Sequence, residues 1–122
     1  MEKTILIVDD TPENIDILVE LLEGYELQIA MSGEDALELF EDEDEDFPDL
    51  VLLDIMMPGI NGYEVCKTLK EGEKTKNIPI VFLSAMTDEA SRVKGLELGG
   101  VDFVTKPFVP NKLLASVEKF IL

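Results

Sequence analysis

The chain has no histidine, a single cysteine and no long hydrophobic stretch, and each absence excludes a class of protein. Cys66 has no partner within the chain for a disulfide, so we expect a reduced, partly buried thiol without a redox role. No run approaches the roughly 18 consecutive apolar residues of a membrane span. The N-terminus also lacks the basic stretch and cleavage site of a signal peptide. These features predict a cytoplasmic protein that does not contact a membrane.

Basic residues are scarce, with 10 Lys and Arg against 27 Asp and Glu and a formal net charge of −17. Binding to DNA or RNA depends on basic side chains that neutralise phosphates, so this charge argues against direct contact with nucleic acid. Six of the acids form the run Glu41 to Asp46, which we interpret as a solvated loop.

The pattern of apolar residues predicts one domain in which strands and helices alternate. The 122 residues are the usual length of a single domain, and 46% of them are hydrophobic. Five segments have the composition of strands: Thr4–Val8, Leu27–Met31, Leu50–Leu53, Ile78–Leu83 and Val101–Thr105. The first, third and fourth are apolar and rich in β-branched residues, which is typical of a parallel sheet covered on both faces.

Apolar residues recur at helical spacing after each predicted strand, as in helices with one apolar face. The spacings are Ile15, Leu18, Val19, Leu22; Ala36, Leu37, Phe40; Val65, Cys66, Leu69; Ala90, Val93, Leu96; and Leu113, Leu114, Val117, Phe120. Thr11 before Pro12, and Ser32, are helix start signals, and Gly99 fits a helix end. The alternation predicts an α/β doubly wound sheet with helices on both faces.

Polar residues follow the strands at one edge of this predicted sheet: Asp9, Asp10, Asp54, Ser84 and Lys106. In such sheets the functional crevice lies beyond the carboxyl ends of the strands. Three carboxylates brought together repel one another unless a cation lies among them, and Mg²⁺ binds sites of this size. One carboxylate then serves as a nucleophile toward phosphorus, with the lysine and the metal stabilising the transferring oxygens. An ionised nucleophile needs no separate base, which agrees with the absence of histidine.

Taken singly, these residues have ordinary structural explanations. Asp9 and Asp10 suit helix capping, Asp54 could cap the following loop, Ser84 could bond to backbone, and Lys106 could pair with any surface carboxylate. Their order, spacing and placement at strand ends together favour the functional interpretation.

Four segments carry a resemblance to a known family: VDD at Val8–Asp10, LLDIMMPGINGYE at Leu52–Glu64, LSA at Leu83–Ala85 and DFVTKPF at Asp102–Phe108. They resemble the response-regulator receiver domains of two-component signalling, of which the chemotaxis regulators are one form. The resemblance covers essentially the whole chain. It implies a single receiver domain over residues 1–122, with the flavodoxin-like strand order 2-1-3-4-5 and five helices.

The resemblance also implies a metal and phosphoryl site. Asp54 matches the phosphoacceptor, Asp10 the acid that binds the metal directly, and Asp9 the acid that holds it through water. Met56 matches the position whose backbone carbonyl completes the metal site. The implied cofactor is Mg²⁺, with Mn²⁺ as an alternative.

Further matches concern the phosphoryl group and the response to it. Ser84 matches the hydroxyl residue that bonds to the phosphoryl group, Ala85 the small residue beside it, and Lys106 the lysine that contacts a phosphoryl oxygen. Pro107 matches a proline that follows a cis peptide bond. Phe103 matches an aromatic switch residue that moves between exposed and buried positions.

The implied activity is acceptance of a phosphoryl group from a sensor histidine kinase or a phosphotransfer protein. Inward movement of Ser84 and Phe103 then switches the face formed by the fourth helix, fifth strand and fifth helix, which controls a downstream output domain or protein. Some relatives form homodimers through this face when phosphorylated, and an isologous dimer is an expectation here. The domain is a phosphoacceptor rather than an enzyme. Because Met56 and Met86 are apolar, we expect slow self-dephosphorylation.

The predicted receiver function has three alternatives. A flavodoxin-like redox module requires a phosphate loop after the first strand, where this chain has two acids in DDTPEN. A phosphatase with an aspartate nucleophile requires a second Asp two residues later, where Met56 stands. A receiver-like interaction domain that acts without phosphorylation remains the alternative.

Overall fold

The computed structural model describes residues 2–41, 46–85 and 88–121, so Met86 and residues 42–45 of the acidic run lie outside the described residues. Strands and helices alternate along the chain. The strands are β1 (Thr4–Val8), β2 (Glu26–Ala30), β3 (Leu50–Asp54), β4 (Ile80–Ser84) and β5 (Asp102–Thr105). The helices are α1 (Pro12–Leu21), α2 (Gly33–Leu39), α3 (Gly62–Glu71), α4 (Glu89–Glu97) and α5 (Pro110–Phe120).

The strands form one parallel sheet in the order β2-β1-β3-β4-β5, which confirms the predicted fold. Apolar side chains on one face of the sheet pack with α2 and α3, and those on the other face pack with α1 and α5. Every residue of β3 and β4 is buried, as is every residue of β1 after Thr4. The apolar runs therefore occupy the doubly covered centre of the sheet.

Several strand ends differ from the prediction by one or two residues. The Glu26 N–H donates to the carbonyl of Lys3 at 2.9 Å, so β2 begins before Leu27. The Ile78 N–H is used in a turn, donating to the Thr75 carbonyl at 3.0 Å, and Pro79 has no N–H. The fourth strand therefore begins at Ile80 rather than Ile78. Apolar composition does not report these backbone bonds.

The helix start signals are placed as predicted, although only one of the two residues caps through its side chain. Ser32 Oγ accepts a hydrogen bond from the Asp35 N–H at 3.0 Å. Thr11 occupies the N-cap of α1 without a capping side-chain bond, and Pro12 follows it. None of the helices among the described residues combines the length and apolar character that crossing a bilayer requires.

The fourth helix differs from the expectation of an apolar face turned to the core. Ala90, Val93 and Leu96 do recur at helical spacing, but all three are exposed. Gly95 is the buried residue of α4, and a Cβ added there would lie 2.9 Å from the ring of Phe82. The helix therefore rests on the sheet through a glycine, because its larger apolar side chains point outward.

Candidate functional site

Three carboxylates meet where β1 and β3 end. These two strands are neighbours with Val8 opposite Leu53, so the next residues, Asp9 and Asp54, lie side by side. Carboxylate oxygens of Asp9, Asp10 and Asp54 lie within 4.8 Å of one another. Asp9 is 0% exposed and Asp54 3% exposed, whereas Asp10 is half-buried. The fold thus assembles the acids that the sequence placed at neighbouring strand ends.

Lys106 contacts two of these acids. Its Nζ lies 3.0 Å from Asp9 Oδ2 and 3.1 Å from Asp54 Oδ1. The pairing of β5 with β4 fixes its place, because the Lys106 N–H donates to the Ser84 carbonyl at 2.8 Å. The peptide bond between Lys106 and Pro107 is cis, as the resemblance implied.

The electrostatics of the cluster favour a further cation. Burial raises the pKa of Asp54 to about 6, the Asp9 carboxylate raises it as well, and Lys106 opposes both effects. Although Asp9 Oδ2 is ion-paired with Lys106, this buried oxygen accepts no well-formed hydrogen bond from the described residues. Three carboxylates face one ammonium group. Oxygen ligands with an excess of negative charge fit Mg²⁺ or Mn²⁺.

The remaining candidate residues surround this cluster. Ser84 is buried at the end of β4. Asp54 pairs with Leu83 across β3 and β4, and Ser84 is the next residue along β4. Ala85 is exposed, and the Met56 side chain is 66% exposed. Phe103 is half-buried on β5, packs against the α2–α3 side of the core and lines a groove of about 320 Å³.

Three contacts around the site were not predicted from the sequence. A Cβ on Gly62 would collide with the backbone carbonyl of Asp54, so the first turn of α3 packs directly on the strand that carries this acid. The hydroxyl of Tyr63 donates to the Ser91 carbonyl in α4 at 2.9 Å. Asp9 Oδ1 accepts the Thr11 N–H at 2.9 Å. The Asn61-Gly62 pair signals a turn in the sequence, and an Asp that bonds the backbone two residues later is a local turn pattern as well. The contact between Tyr63 and Ser91, 28 residues apart, has no such local signal.

Comparison with known proteins identifies the class to which this fold and site belong. Residues 5–118 match the family described as "Response regulator receiver domain", and the chain belongs to that family. It is 42% identical over 120 residues to the response regulator PleD of Caulobacter vibrioides, which covers 97% of this chain. It is therefore similar to a curated regulator of two-component signalling.

Solved structures agree with this assignment. A putative response regulator from Chloroflexus aurantiacus J-10-fl superposes with a TM-score of 0.92 at 36% identity, covering 99% of this chain and 98% of its own. A structure described as the BeF3-activated DrrB receiver domain superposes with a TM-score of 0.86 at 35% identity, covering 99% of this chain and 98% of its own. The chain spans only 26% of the length of PleD. The similarity to PleD thus concerns the receiver portion alone.

Proposed function

We propose that residues 1–122 form one phosphoryl-accepting receiver domain, with Asp54 as the residue that is phosphorylated. The observation that carries the proposal is the Asp54 carboxylate, buried at the end of β3 and 3.1 Å from Lys106 within a cluster of three acids. Burial raises the pKa of Asp54 to about 6, but the ion pair with Lys106 favours the ionised carboxylate. Asp54 is therefore a nucleophile that needs no base.

In the proposed reaction an oxygen of Asp54 bonds to phosphorus while the bond between phosphorus and the histidine nitrogen of the donor breaks. The donor is a sensor histidine kinase or a phosphotransfer protein. Lys106 already contacts Asp54. During the transfer it exchanges this ion pair for one with an oxygen of the incoming phosphoryl group. Ser84, at the end of the neighbouring strand, donates its hydroxyl to a second phosphoryl oxygen. Positioning and charge neutralisation account for most of phosphoryl-transfer catalysis.

The acids define the metal site of the proposal. Asp10, Asp54 and the backbone carbonyl of Met56 would hold Mg²⁺, or Mn²⁺, and Asp9 would reach it through water. When bound, the ion supplies the positive charge that offsets the acids and the phosphoryl oxygens. The ion pair with Lys106 gives the buried Asp9 carboxylate a cationic partner.

Output in this proposal passes through the face of α4, β5 and α5. Ser84 moves toward the phosphoryl group and Phe103 fills the space that it leaves. The half-buried state of Phe103 and the small buried surface of α4 support this role. The face then controls an output domain or protein in the cytoplasm, and a phosphorylation-dependent homodimer through it is a further expectation. Apolar Met56, with Met86, slows loss of the phosphoryl group.

The test is intact-protein mass spectrometry after incubation with acetyl phosphate and Mg²⁺. We expect one added phosphoryl group on the wild type, and none on Asp54→Asn or in the presence of a chelator. Asp16→Asn is the matched control, because Asp16 is an exposed acid on α1. It should be modified like the wild type.

Beryllofluoride provides a second readout that does not depend on the rate of transfer. With Mg²⁺ it should shift the backbone amide resonances of α4 and β5 in the wild type and leave those of Asp54→Asn unchanged. A folded wild-type protein that neither gains mass nor responds to beryllofluoride would contradict the proposal. That result would favour the receiver-like domain that acts without phosphorylation.

A further inference from the structure

The charge of the chain is divided very unevenly along its length. Between Lys3 and Lys67 the sequence contains 19 Asp and Glu and no Lys or Arg. The rest of the chain contains 8 acids and 10 basic residues, so it is nearly neutral. The strand order turns this division into a spatial one, because β2, β1 and β3, with α1 and α2, form one side of the molecule. That side presents a negative surface to any approaching partner.

An open groove of about 600 Å³ lies on this side, between the edge strand β2 and α2. Its apolar residues are Ile29, Ala30 and Leu39, and its charged residues are Asp35, Glu38 and Glu41. Ile29 is 46% exposed and Leu39 41% exposed. Among the described residues that line the groove, none is basic. The β2–α2 groove therefore combines apolar side chains with charged side chains of one sign.

We propose that the β2–α2 groove binds a lysine- and arginine-rich segment of a partner protein, which places an apolar side chain between Ile29 and Leu39. The charge of the surface selects this occupant. Nucleic acid and anionic membranes carry the same sign as the groove, and a symmetric contact with a second copy of the chain would bring acids against acids. The groove contains none of the acids of the phosphoryl site, so the inference does not depend on phosphorylation.

Affinity in such a contact comes from the apolar anchor, whereas the charges guide the approach. Burying one leucine-sized side chain contributes about 1.5–3 kcal/mol, which corresponds to roughly a tenfold to hundredfold change in affinity. Leu39 is therefore expected to matter more than any single acid. High salt should weaken binding, because the acidic side chains that line the groove are exposed to solvent.

The test uses two synthetic peptides of equal length and charge, one built from lysine and leucine and the other from lysine and serine. Each is titrated into ¹⁵N-labelled protein while amide shifts are recorded. The leucine peptide should perturb amides around Ile29, Asp35 and Leu39. The serine peptide should bind more weakly by a factor of about ten or more.

Two pairs of variants separate the groove from general acidity. Leu39→Ser should weaken binding of the leucine peptide about tenfold, whereas Val93→Ser, at a similarly exposed position on α4, should not. Glu38→Lys should weaken binding and Glu71→Lys, an exposed acid at the end of α3, should have little effect. The positions are exposed, and a dispersed amide spectrum checks that each variant is folded.

Several results would overturn the proposal. Equal affinity for the two peptides would show attraction by charge alone, and shifts centred on α4 and α5 would put the binding surface elsewhere. Unchanged affinity in Leu39→Ser would remove the apolar anchor. Loss of a solution dimer in that variant, seen by sedimentation velocity, would identify a second copy of the chain as the occupant instead.

Discussion

Helices α3 and α4 are neighbours of similar length, yet they are attached to the molecule in different ways. In α3 the buried residues are Gly62, Tyr63, Val65, Cys66 and Leu69. In α4 only Gly95 is buried, although Ala90, Val93 and Leu96 recur at helical spacing. Both helices therefore have apolar residues at helical spacing, but only those of α3 face the core.

Few side-chain contacts hold α4 to its neighbour. The Tyr63 hydroxyl donates to the Ser91 carbonyl, Lys94 Nζ lies 4.6 Å from the centre of the Tyr63 ring, and the Cys66 thiol donates to the Leu98 carbonyl at 3.5 Å. An element with little buried apolar surface moves at a low free-energy cost. It follows that α3, whose first turn packs on the strand that carries Asp54, is firmly attached, while α4 is suited to the movement that the proposed switch requires.

The largest effect that separates the two helices is expected for Leu69→Ala in α3. Leu69 is 2% exposed, so removing its side chain leaves a cavity between α3 and the sheet. We expect a loss of about 2–5 kcal/mol in the free energy of unfolding, measured by urea denaturation. A loss below about 1 kcal/mol would show that α3 is not the firmly packed helix of the pair.

The sequence predicts the anchored helix and the sheet well. The patterns of Thr4–Val8 and Leu50–Leu53 leave little choice, because strands apolar on both faces must lie at the centre of a parallel sheet. The gathering of Asp9, Asp54 and Lys106 follows from their places at strand ends, although their roles in catalysis stay predictions.

The surroundings of α4 could not be predicted from the sequence. Whether an apolar stripe faces inward depends on the size of the side chains on the sheet beneath the helix. Here the Phe82 ring lies so close to α4 that the residue above it has to be Gly95. The bond from Tyr63 to Ser91 joins residues 28 positions apart and uses a backbone carbonyl, which no side-chain pattern reveals. Hydrophobic periodicity identifies a helix but does not show which neighbour it contacts.

Gly95→Ala tests whether α4 is held against the sheet. A Cβ at this position would lie 2.9 Å from Phe82 Cδ2, so the helix must move outward or the ring must shift. We expect a loss of about 1–3 kcal/mol from overpacking, measured by thermal and urea unfolding. If α4 can move away from Phe82 at little cost, alanine will instead stabilise the protein by up to about 1 kcal/mol through its helix propensity. The sign of the change therefore decides the question.

Tyr63→Phe removes one hydrogen bond between the helices and keeps the ring. We expect a loss of about 0.5–1.5 kcal/mol and faster hydrogen exchange confined to α4. Tyr25→Phe is the control, because Tyr25 packs on the opposite face of the sheet. Equal exchange rates in α4 for the wild type and both variants would show that the bond does not hold this helix.

Alkylation of Cys66 gives a chemical measure of the same contact. Burial raises the pKa of this thiol to about 11, so at pH 8 the native protein contains very little thiolate and should react slowly with iodoacetamide. Because Cys66 is 0% exposed, the reaction passes through an opened form in which the thiol is no longer buried, so its rate should rise with pH only up to the ordinary pKa of a thiol. In Tyr63→Phe it should be faster at every pH, because separation of α3 from α4 exposes the sulfur. An equal rate in both proteins would mean that iodoacetamide reaches Cys66 through a motion other than the separation of α3 from α4.

Leu96→Ala is the smallest expected change and the closest counterpart of Leu69→Ala, since the same atoms are removed from the neighbouring helix. Leu96 is 41% exposed, so its side chain contributes little buried area and alanine is a good helix former. We expect the free energy of unfolding to stay within about 0.5 kcal/mol of the wild type. A loss close to that of Leu69→Ala would mean that the stripe of α4 is buried in solution, and the proposed mobility of this helix would then have no structural basis.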